Sequence, residues 1–186
     1  MVDTVKKNRF VVRVGDRSRA ELMDLLRRAD VMLNVHAKTL LAHAVFDAPR
    51  PRAIRVVERT VRELGFEHGA VQSRVFTAAK NQGLELCPPV TGPYLRLAMT
   101  GQATAPDSIL SAGRAPTGAI HVASDPQSQD VEYPKGFYLR VVDGQAWLRG
   151  YRCDDTYVWA PEQRLALVLP DNSPDVGPSP DREEDE

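Results

Sequence analysis

The sequence has 186 residues, of which 42% are hydrophobic and 26% are charged, and its formal net charge is −1. A chain of this length and composition is typical of one globular domain. The longest apolar run, residues 165–169, has the length of a strand and falls far short of the roughly 20 apolar residues that cross a bilayer. Composition and hydropathy therefore predict a globular domain and exclude a membrane-spanning segment.

The N-terminus and the cysteines predict a cytoplasmic protein. Arg13, Asp16 and Arg17 interrupt any apolar segment that a secretion signal would require. Cys87 and Cys153 are too few for a disulfide scaffold, so we expect both thiols to be reduced.

The C-terminal residues differ in composition from the rest. Residues 171–186 contain seven acidic residues and one arginine, which leaves residues 1–170 with a net charge of +5. The segment is also rich in proline and nearly free of apolar side chains, so it cannot bury enough surface to fold. We predict a single α+β domain at 1–170 and a disordered acidic tail at 171–186. A modestly basic domain favours an anionic partner.

The first part of the domain, about residues 18–82, is predicted to be helical. Ser18 and Glu21 have the spacing of a capping box, and leucines then recur at helical intervals. Asp30 and Asn34 mark a turn between two helices. The sequence therefore predicts a pair of helices at the start of the domain.

Residues 52–64 are predicted to form another helix, because their apolar side chains recur at steps of three and four. Their β-branched residues leave a strand as the alternative. In a helix, the opposite face would carry a basic stripe that is either a solvated surface or a contact for an anionic partner: Arg52, Arg55, Arg59 and Arg62. One more helix is predicted at 69–82, where Gly83 ends it.

From Gly83 onward the pattern is that of short strands. Strands are predicted at 84–87, 94–99, 119–123, 136–142, 145–152, 157–159 and 164–169, with long loops at 101–118 and 124–135. A loop as long as 101–118 indicates function or mobility. The predicted fold class is α+β, with N-terminal helices packed on a mainly antiparallel C-terminal sheet, about 84–169, that contains a 136–152 hairpin.

The hairpin carries the strongest local signal. Asp143–Gly144 is a dipeptide that a two-residue type I′ turn prefers, because both central residues need positive φ. Such a turn places Leu139 opposite Leu148, and strand alternation then assigns each residue to a face. The face predicted to enter the core carries Phe137, Leu139, Val141, Ala146 and Leu148.

The opposite face of the hairpin alternates arginines with aromatic residues and is the candidate binding site: Tyr138, Arg140, Trp147, Arg149 and Tyr151. Seven of the twelve aromatic residues lie between positions 133 and 159. Each exposed arginine–aromatic contact stabilises by about 0.5–1 kcal/mol, so this arrangement can serve the hairpin alone. The alternatives are a recognition surface, because these residue types dominate binding hot spots, or a platform that stacks bases of a single strand.

Known motifs for cofactors and metals are missing from the sequence. Residues 113–118 have the glycine spacing of a P-loop, but Ala119 and Ile120 replace the lysine and hydroxyl residue that hold phosphate and magnesium. The histidines lack the spacing of a shared metal site and are interpreted as surface or structural residues: His36, His43, His68 and His121. We predict no cofactor and no metal.

Two further groups carry reactive side chains without a catalytic arrangement around them. Asp154 and Asp155 are adjacent carboxylates, and we interpret them as loop residues. Cys87 lies beside Pro88, and nothing near it in sequence would lower the pKa of its thiol. No catalytic residue is predicted.

Three segments together resemble a family of uncharacterised bacterial proteins. They read LELCPPVTGPYLRL at 84–97, GFYLR at 136–140 and WLRGY at 147–151, and the resemblance extends over about residues 20–169. Proteins of this family are sometimes labelled helicases, but this chain lacks a P-loop and is too short for a motor. The resemblance implies no activity, cofactor or catalytic residue.

The leading hypothesis from sequence is a non-enzymatic interaction or regulatory module with a protein partner. The first alternative is a nucleic-acid-binding protein, for which the basic stripe and the hairpin face would supply the contacts. The second alternative is a small hydrolase or nuclease whose site is assembled only by the fold. The oligomeric state is not predicted.

Overall fold

The structure is a computed structural model that describes residues 9–48, 50–109 and 115–170. The predicted acidic tail at 171–186 lies outside these residues. The strands are β1 Arg9–Val14, β2 Met32–Leu33, β3 Arg52–Thr60, β4 Ala70–Val71, β5 Ile120–Val122, β6 Gly136–Val142, β7 Gln145–Tyr151, β8 Val158–Trp159 and β9 Arg164–Leu169. The helices are α1 Arg19–Arg28, α2 Val35–Leu41, α3 Gln72–Asn81 and α4 Thr91–Ala98, with a 3-10 turn at Ala44–Asp47.

A seven-stranded mixed sheet dominates the molecule, and its strand order is β1-β3-β9-β5-β6-β7-β2. The pairs β5–β9 and β2–β7 are parallel, whereas the other neighbours are antiparallel. The predicted fold class is therefore wrong. Two of the seven strands, β2 and β3, lie within the part 18–82 that was predicted to be helical, and β1 precedes it, while the helices are few and short.

Residues 52–60 form the strand β3 and not the predicted helix. β3 pairs with β1 on one side and β9 on the other, so every position from Arg55 to Val57 has a neighbour on both sides. Val56 and Val57 are both fully buried although they point to opposite faces. A short apolar run that is buried on both faces has no distinctive period, and its β-branched residues favour the strand that was the stated alternative.

Residues 91–98 form the helix α4, where a strand was predicted at 94–99. Pro93 lies in the first turn of α4, where its missing N–H leaves no hydrogen bond broken. The Tyr94 hydroxyl accepts a hydrogen bond from the backbone N–H of Arg17 at 3.0 Å, and Leu95 is fully buried. Of the strand predicted at 84–87, only the bridge between Glu85 and Val168 forms.

Three other helices confirm their predictions. Ser18 and Glu21 form the capping box of α1, and Asn34 caps α2 by accepting from the backbone N–H of Ala37 at 2.9 Å. Asp30 has a φ of 52° in the turn between the two helices. α3 occupies the core of the segment predicted at 69–82. The strands β1 and β2 were not predicted.

The hairpin forms with the predicted turn and register. Asp143 has a φ of 50° and Gly144 a φ of 78°, as a type I′ turn requires. Leu139 lies opposite Leu148 and Tyr138 opposite Arg149. The prediction for this part of the chain is therefore confirmed residue by residue.

Each face of the sheet is covered by its own apolar cluster. On the first face, α1, α2 and α4 pack on a cluster that contains Val56, Leu139 and Leu148. On the second face, α3 and β8 pack on a cluster that contains Val57 and Leu167. Within residues 9–48, 50–109 and 115–170, no helix has the length and apolar character needed to cross a bilayer.

The close contact between β7 and α2 depends on Gly150. A Cβ at this position would lie 2.6 Å from the backbone carbon of His36 and 2.8 Å from the nitrogen of Ala37. We expect Gly150→Ala to lower the free energy of unfolding by about 1–3 kcal/mol, because backbone atoms must move to admit the methyl group. Urea unfolding measures the change.

Gly101→Ala is the matched control for this substitution. A Cβ at Gly101 meets no atom within 4 Å, so its effect should stay within about 0.5 kcal/mol. Equal stability of the Gly150→Ala variant and the parent would contradict the contact between α2 and β7.

Candidate functional site

A pocket of about 430 Å³ lies on the second face of the sheet, over β5, β6 and β7. β8 closes one side of the pocket, and the start of α2 closes another. Its volume falls within the roughly 300–1,000 Å³ of sites that bind small molecules. The residues that line it are Asn34, Val35, His36, Ala115, Pro116, His121, Tyr138, Arg149, Gly150, Tyr151, Arg152, Cys153, Tyr157, Trp159 and Gln163.

Four aromatic rings form a contiguous floor. His121 on β5 lies at the centre, stacked on Tyr138 with ring centroids 5.2 Å apart. The ring of Tyr151 lies 5.0 Å from His121 and that of Trp159 lies 5.3 Å from it. His121 and Tyr138 face each other because β5 and β6 pair at these two residues. We call His121, Tyr138, Tyr151 and Trp159 the aromatic floor.

His121 is neutral in the folded protein. Burial lowers the pKa of its imidazole from the usual 6.5 to about 3, because the charged form would lose its hydration. Its Nδ1 is buried and has no hydrogen-bond partner among the described residues. The Oε1 of Gln163, another residue that lines the pocket, is buried without a described partner as well.

Arg149 is held at the pocket by its neighbours on the hairpin. Its Nε donates a hydrogen bond to the Tyr138 hydroxyl at 2.7 Å. The central carbon of its guanidinium lies 5.0 Å from the centroid of the Trp147 ring and 6.0 Å from that of Tyr138, so the cation has two aromatic contacts. No carboxylate of the described residues forms an ion pair with it.

The rim of the pocket adds positive charge. Arg152 is partly exposed and pairs with Glu132, also exposed, in a contact of the kind that contributes little to stability. The pKa of His36 is lowered by burial and by the positive charges of Arg152 and Arg149. No aspartate or glutamate lies among the lining residues. The pocket is therefore aromatic at its floor and cationic at its edge.

A recognition surface would require Arg140 to be exposed, but it is not. It is fully buried, and its guanidinium donates to the backbone oxygens of Thr117 at 2.9 Å and Asp107 at 2.8 Å and to that of Ile109. It also forms an ion pair of 2.9 Å with the Asp107 carboxylate. Arg140 thus anchors the described parts of the predicted loop 101–118 to β6.

This anchoring shapes one wall of the pocket. Ala115 and Pro116 precede Thr117 and line the pocket, and the backbone N–H of Ala115 donates to the Tyr157 hydroxyl at 2.8 Å. A hydrogen bond from Thr117, followed by others that include that of Arg140, lowers the pKa of Asp107. The wall is held by a buried cation on one side and by a tyrosine on the other.

Three of the five hairpin residues predicted as a site therefore meet in the pocket, namely Tyr138, Arg149 and Tyr151. Trp147 does not line the pocket but is half-buried and supports Arg149 from outside it. Arg140 supports the wall. The hairpin face that was predicted to be a recognition surface carries a concave pocket.

The predicted basic stripe does not form one surface, because its residues lie on a strand and in the turn that follows. Strand alternation places Arg52 on the face opposite to Arg55 and Arg59. Arg55 donates to the backbone oxygen of Pro170 at 2.6 Å, and Arg59 donates to that of Glu58 at 2.7 Å. Arg62 pairs with Glu67 at 3.3 Å and with Glu162 at 2.8 Å.

The remaining reactive residues have structural surroundings. Burial raises the pKa of the Cys87 thiol to about 12. The Asp154 carboxylate accepts hydrogen bonds from the backbone N–H groups of Thr156 and Tyr157, both at 2.8 Å, which stabilises a turn. Among the described residues, no three His, Cys, Asp or Glu side chains are grouped so that they could hold a metal ion.

Sequence reasoning missed His121, Trp159 and Gln163. The concentration of aromatic residues between positions 133 and 159 includes Trp159 and could have suggested it. His121 and Gln163 are brought to the pocket by β5 and by the segment before β9, and no local pattern marks them. Comparison with protein-family models, with curated proteins and with solved structures finds no match for this chain.

Arg140→Met should lower the free energy of unfolding by about 2–4 kcal/mol, because it leaves buried carbonyl groups without a donor. The backbone amides of the described residues next to Ile109 and Thr117 should also exchange their hydrogens faster. Urea unfolding and exchange mass spectrometry measure the two effects. Arg152→Met is the control and should cost less than about 1 kcal/mol, since its ion pair is exposed. Equal effects of the two substitutions would contradict the anchoring role.

The buried imidazole of His121 makes stability depend on pH. Because its folded-state pKa is depressed, the unfolded chain binds one more proton between about pH 6.5 and pH 3, so stability falls as the pH falls through that window. From pH 7 to pH 5, the parent should lose about 2 kcal/mol more than His121→Phe, which keeps a ring and does not titrate. Urea unfolding at the two pH values measures this difference. Parallel losses in the two proteins would mean that His121 is exposed.

Proposed function

We propose that the chain is a non-enzymatic binding module whose ligand enters the pocket over β5, β6 and β7. The observation that carries the proposal is the pairing of an aromatic floor with Arg149, a cation that two rings hold in place and that forms no ion pair with a described residue. Aromatic residues and arginine are the side chains that dominate binding hot spots. The proposed interaction site is therefore the pocket on this face of the hairpin.

The chemistry of the pocket favours binding over catalysis. Cys153 and His121 are of the types that act as nucleophile and base, but burial raises the pKa of the Cys153 thiol and lowers that of the His121 imidazole. A protonated thiol is a poor nucleophile, and an imidazole with so low a pKa is a poor base. The lining residues also include no carboxylate that could serve as an acid or base. Cys153 and His121 are therefore of the residue types that the hydrolase alternative needs, but they are not an activated pair of nucleophile and base.

The proposal includes a cytoplasmic location, for which the two cysteines, too few for a disulfide scaffold, are the support. A partner protein could present one side chain to the pocket, whereas a flat protein face would not enter it. Nucleic-acid binding stays a prediction, but the arginines of 52–62 do not form one surface and so no longer favour it. If the protein binds nucleic acid, a gel shift at low salt should show a complex whose affinity falls steeply as salt is added.

A fragment screen by two-dimensional NMR tests this proposal. The chain has two tryptophans, Trp159 in the aromatic floor and Trp147 against Arg149, so their indole N–H signals report directly on the pocket. Fragments that bind should shift the Trp159 signal and remain chemically unchanged during the experiment. Binding should be lost in Tyr138→Ala and kept in Tyr133→Ala, which alters a tyrosine that does not line the pocket. Fragments that bind only elsewhere, or that are converted to products, would contradict the proposal.

A further inference from the structure

The charges at the pocket determine whether it favours a cationic or an anionic ligand. Aromatic rings grouped around a cavity can bind cations, and this is the use that an aromatic floor alone would suggest. Here Arg149 and Arg152 both line the pocket, and no aspartate or glutamate does. A cationic ligand would meet two like charges, of which only Arg152 has a counter-ion, the exposed Glu132, whereas an anion would meet opposite charge. The pocket therefore favours an anion.

The hydrogen bonding of Arg149 selects the shape of that anion. A guanidinium has five N–H groups, one on Nε and four on the terminal nitrogens. Nε already donates to the Tyr138 hydroxyl at 2.7 Å, while the terminal nitrogens have no hydrogen-bond partner among the described residues. The planar end of the guanidinium matches two oxygens of one carboxylate or phosphate group. Contacts with Trp147 and Tyr138 hold this end in place before a ligand arrives.

The aromatic floor indicates which kind of group carries the anion in the ligand. The rings of Tyr138, Tyr151 and Trp159 surround His121, which is neutral, at interplanar angles of 22°, 73° and 49°, so the floor offers uncharged ring faces and ring edges. A planar ring gains most from such a surface through stacked or edge contacts. The buried Nδ1 of His121 and Oε1 of Gln163, which have no described partners, are suited to a polar atom of the ring.

We propose that the ligand is a small planar ring that carries one carboxylate or phosphate group, bound with the anionic oxygens at the terminal nitrogens of Arg149 and the ring at the aromatic floor. The inference rests on the proposed function, because it names the ligand class of the same pocket. A pocket of about 430 Å³ holds a molecule of that size.

Two pairs of probes test the ligand class by calorimetry at low salt, with the NMR signal of Trp159 as the reporter of location. Indole-3-carboxylate is compared with the uncharged indole-3-carboxamide, and adenosine monophosphate with adenosine. In at least one pair, the anion should bind about tenfold more tightly than its neutral counterpart. The pair that responds identifies carboxylate or phosphate as the group that is recognised. Inorganic phosphate alone should bind more weakly than the ring that carries phosphate.

Variants of Arg149 test the contact itself. Arg149→Gln should remove the preference for the anion and leave the weak affinity for the neutral ring, and Arg149→Lys should keep part of the preference because it keeps the charge. Arg28→Gln, on an exposed part of α1, is the control and should change nothing. In the parent, binding should also raise the pKa of His36, measured by NMR, because the anion offsets the nearby arginines. A purely structural role for Arg149 would not produce that response.

The results separate the two proposals. Neutral and anionic rings that bind equally well at Trp159 would overturn the ligand class and leave the binding pocket standing. An unchanged anion preference in Arg149→Gln would do the same. If neither these probes nor the fragments shift the Trp159 signal, the proposed function fails as well. Inorganic phosphate that binds as tightly as adenosine monophosphate would show that the ring contributes nothing, which contradicts the inference.

Discussion

The two-residue turn at Asp143–Gly144 is the constraint on which the rest of this structure depends. Its positive φ values fix the pairing of β6 with β7, and β6 is buried along its whole length. A shift of the register by one residue would exchange the faces of every side chain on the shifted strand. Leu148 would then leave the core on one side of the sheet, and Arg149 would leave the pocket on the other. The same local geometry therefore determines both the stability of the sheet and the composition of the site.

A buried cation connects this hairpin to the wall of the pocket. Arg140 has no exposed surface, and a buried charge is tolerated only when hydrogen bonds and a counter-ion satisfy it. The backbone oxygens of Asp107 and Thr117 provide hydrogen bonds, so the charge organises residues 107–109 and 115–117, which the structure describes outside any helix or strand. Arg149 lies on β7, two positions after Trp147, which is the residue opposite Arg140. Unlike Arg140, it lines the open pocket. The hairpin thus uses one arginine for structure and places another where a ligand can reach it.

The sequence was informative where local chemistry decides the structure. The turn at Asp143–Gly144, the capping box at Ser18 and the stop at Gly83 were predictable because each depends on residues that are close in the chain. The strand β3 and the helix α4 were predicted wrongly, because short segments buried on several sides are determined by packing with distant parts of the chain. The residues of the pocket were only partly predictable, because some of them come from distant parts of the chain. Its hairpin residues followed from the register, while His121 reaches it only through the pairing of β5 with β6.

The meeting of His121 with three aromatic rings is the central claim, because it joins β5, β6, β7 and β8 into one site. Nuclear Overhauser effects from the imidazole protons of His121 test it most directly, since the ring centroids of Tyr138, Tyr151 and Trp159 lie 5.2, 5.0 and 5.3 Å away. We expect cross-peaks from His121 to ring protons of all three residues. Cross-peaks to Leu139 and Leu148 instead would place His121 on the opposite face of the sheet and contradict the site.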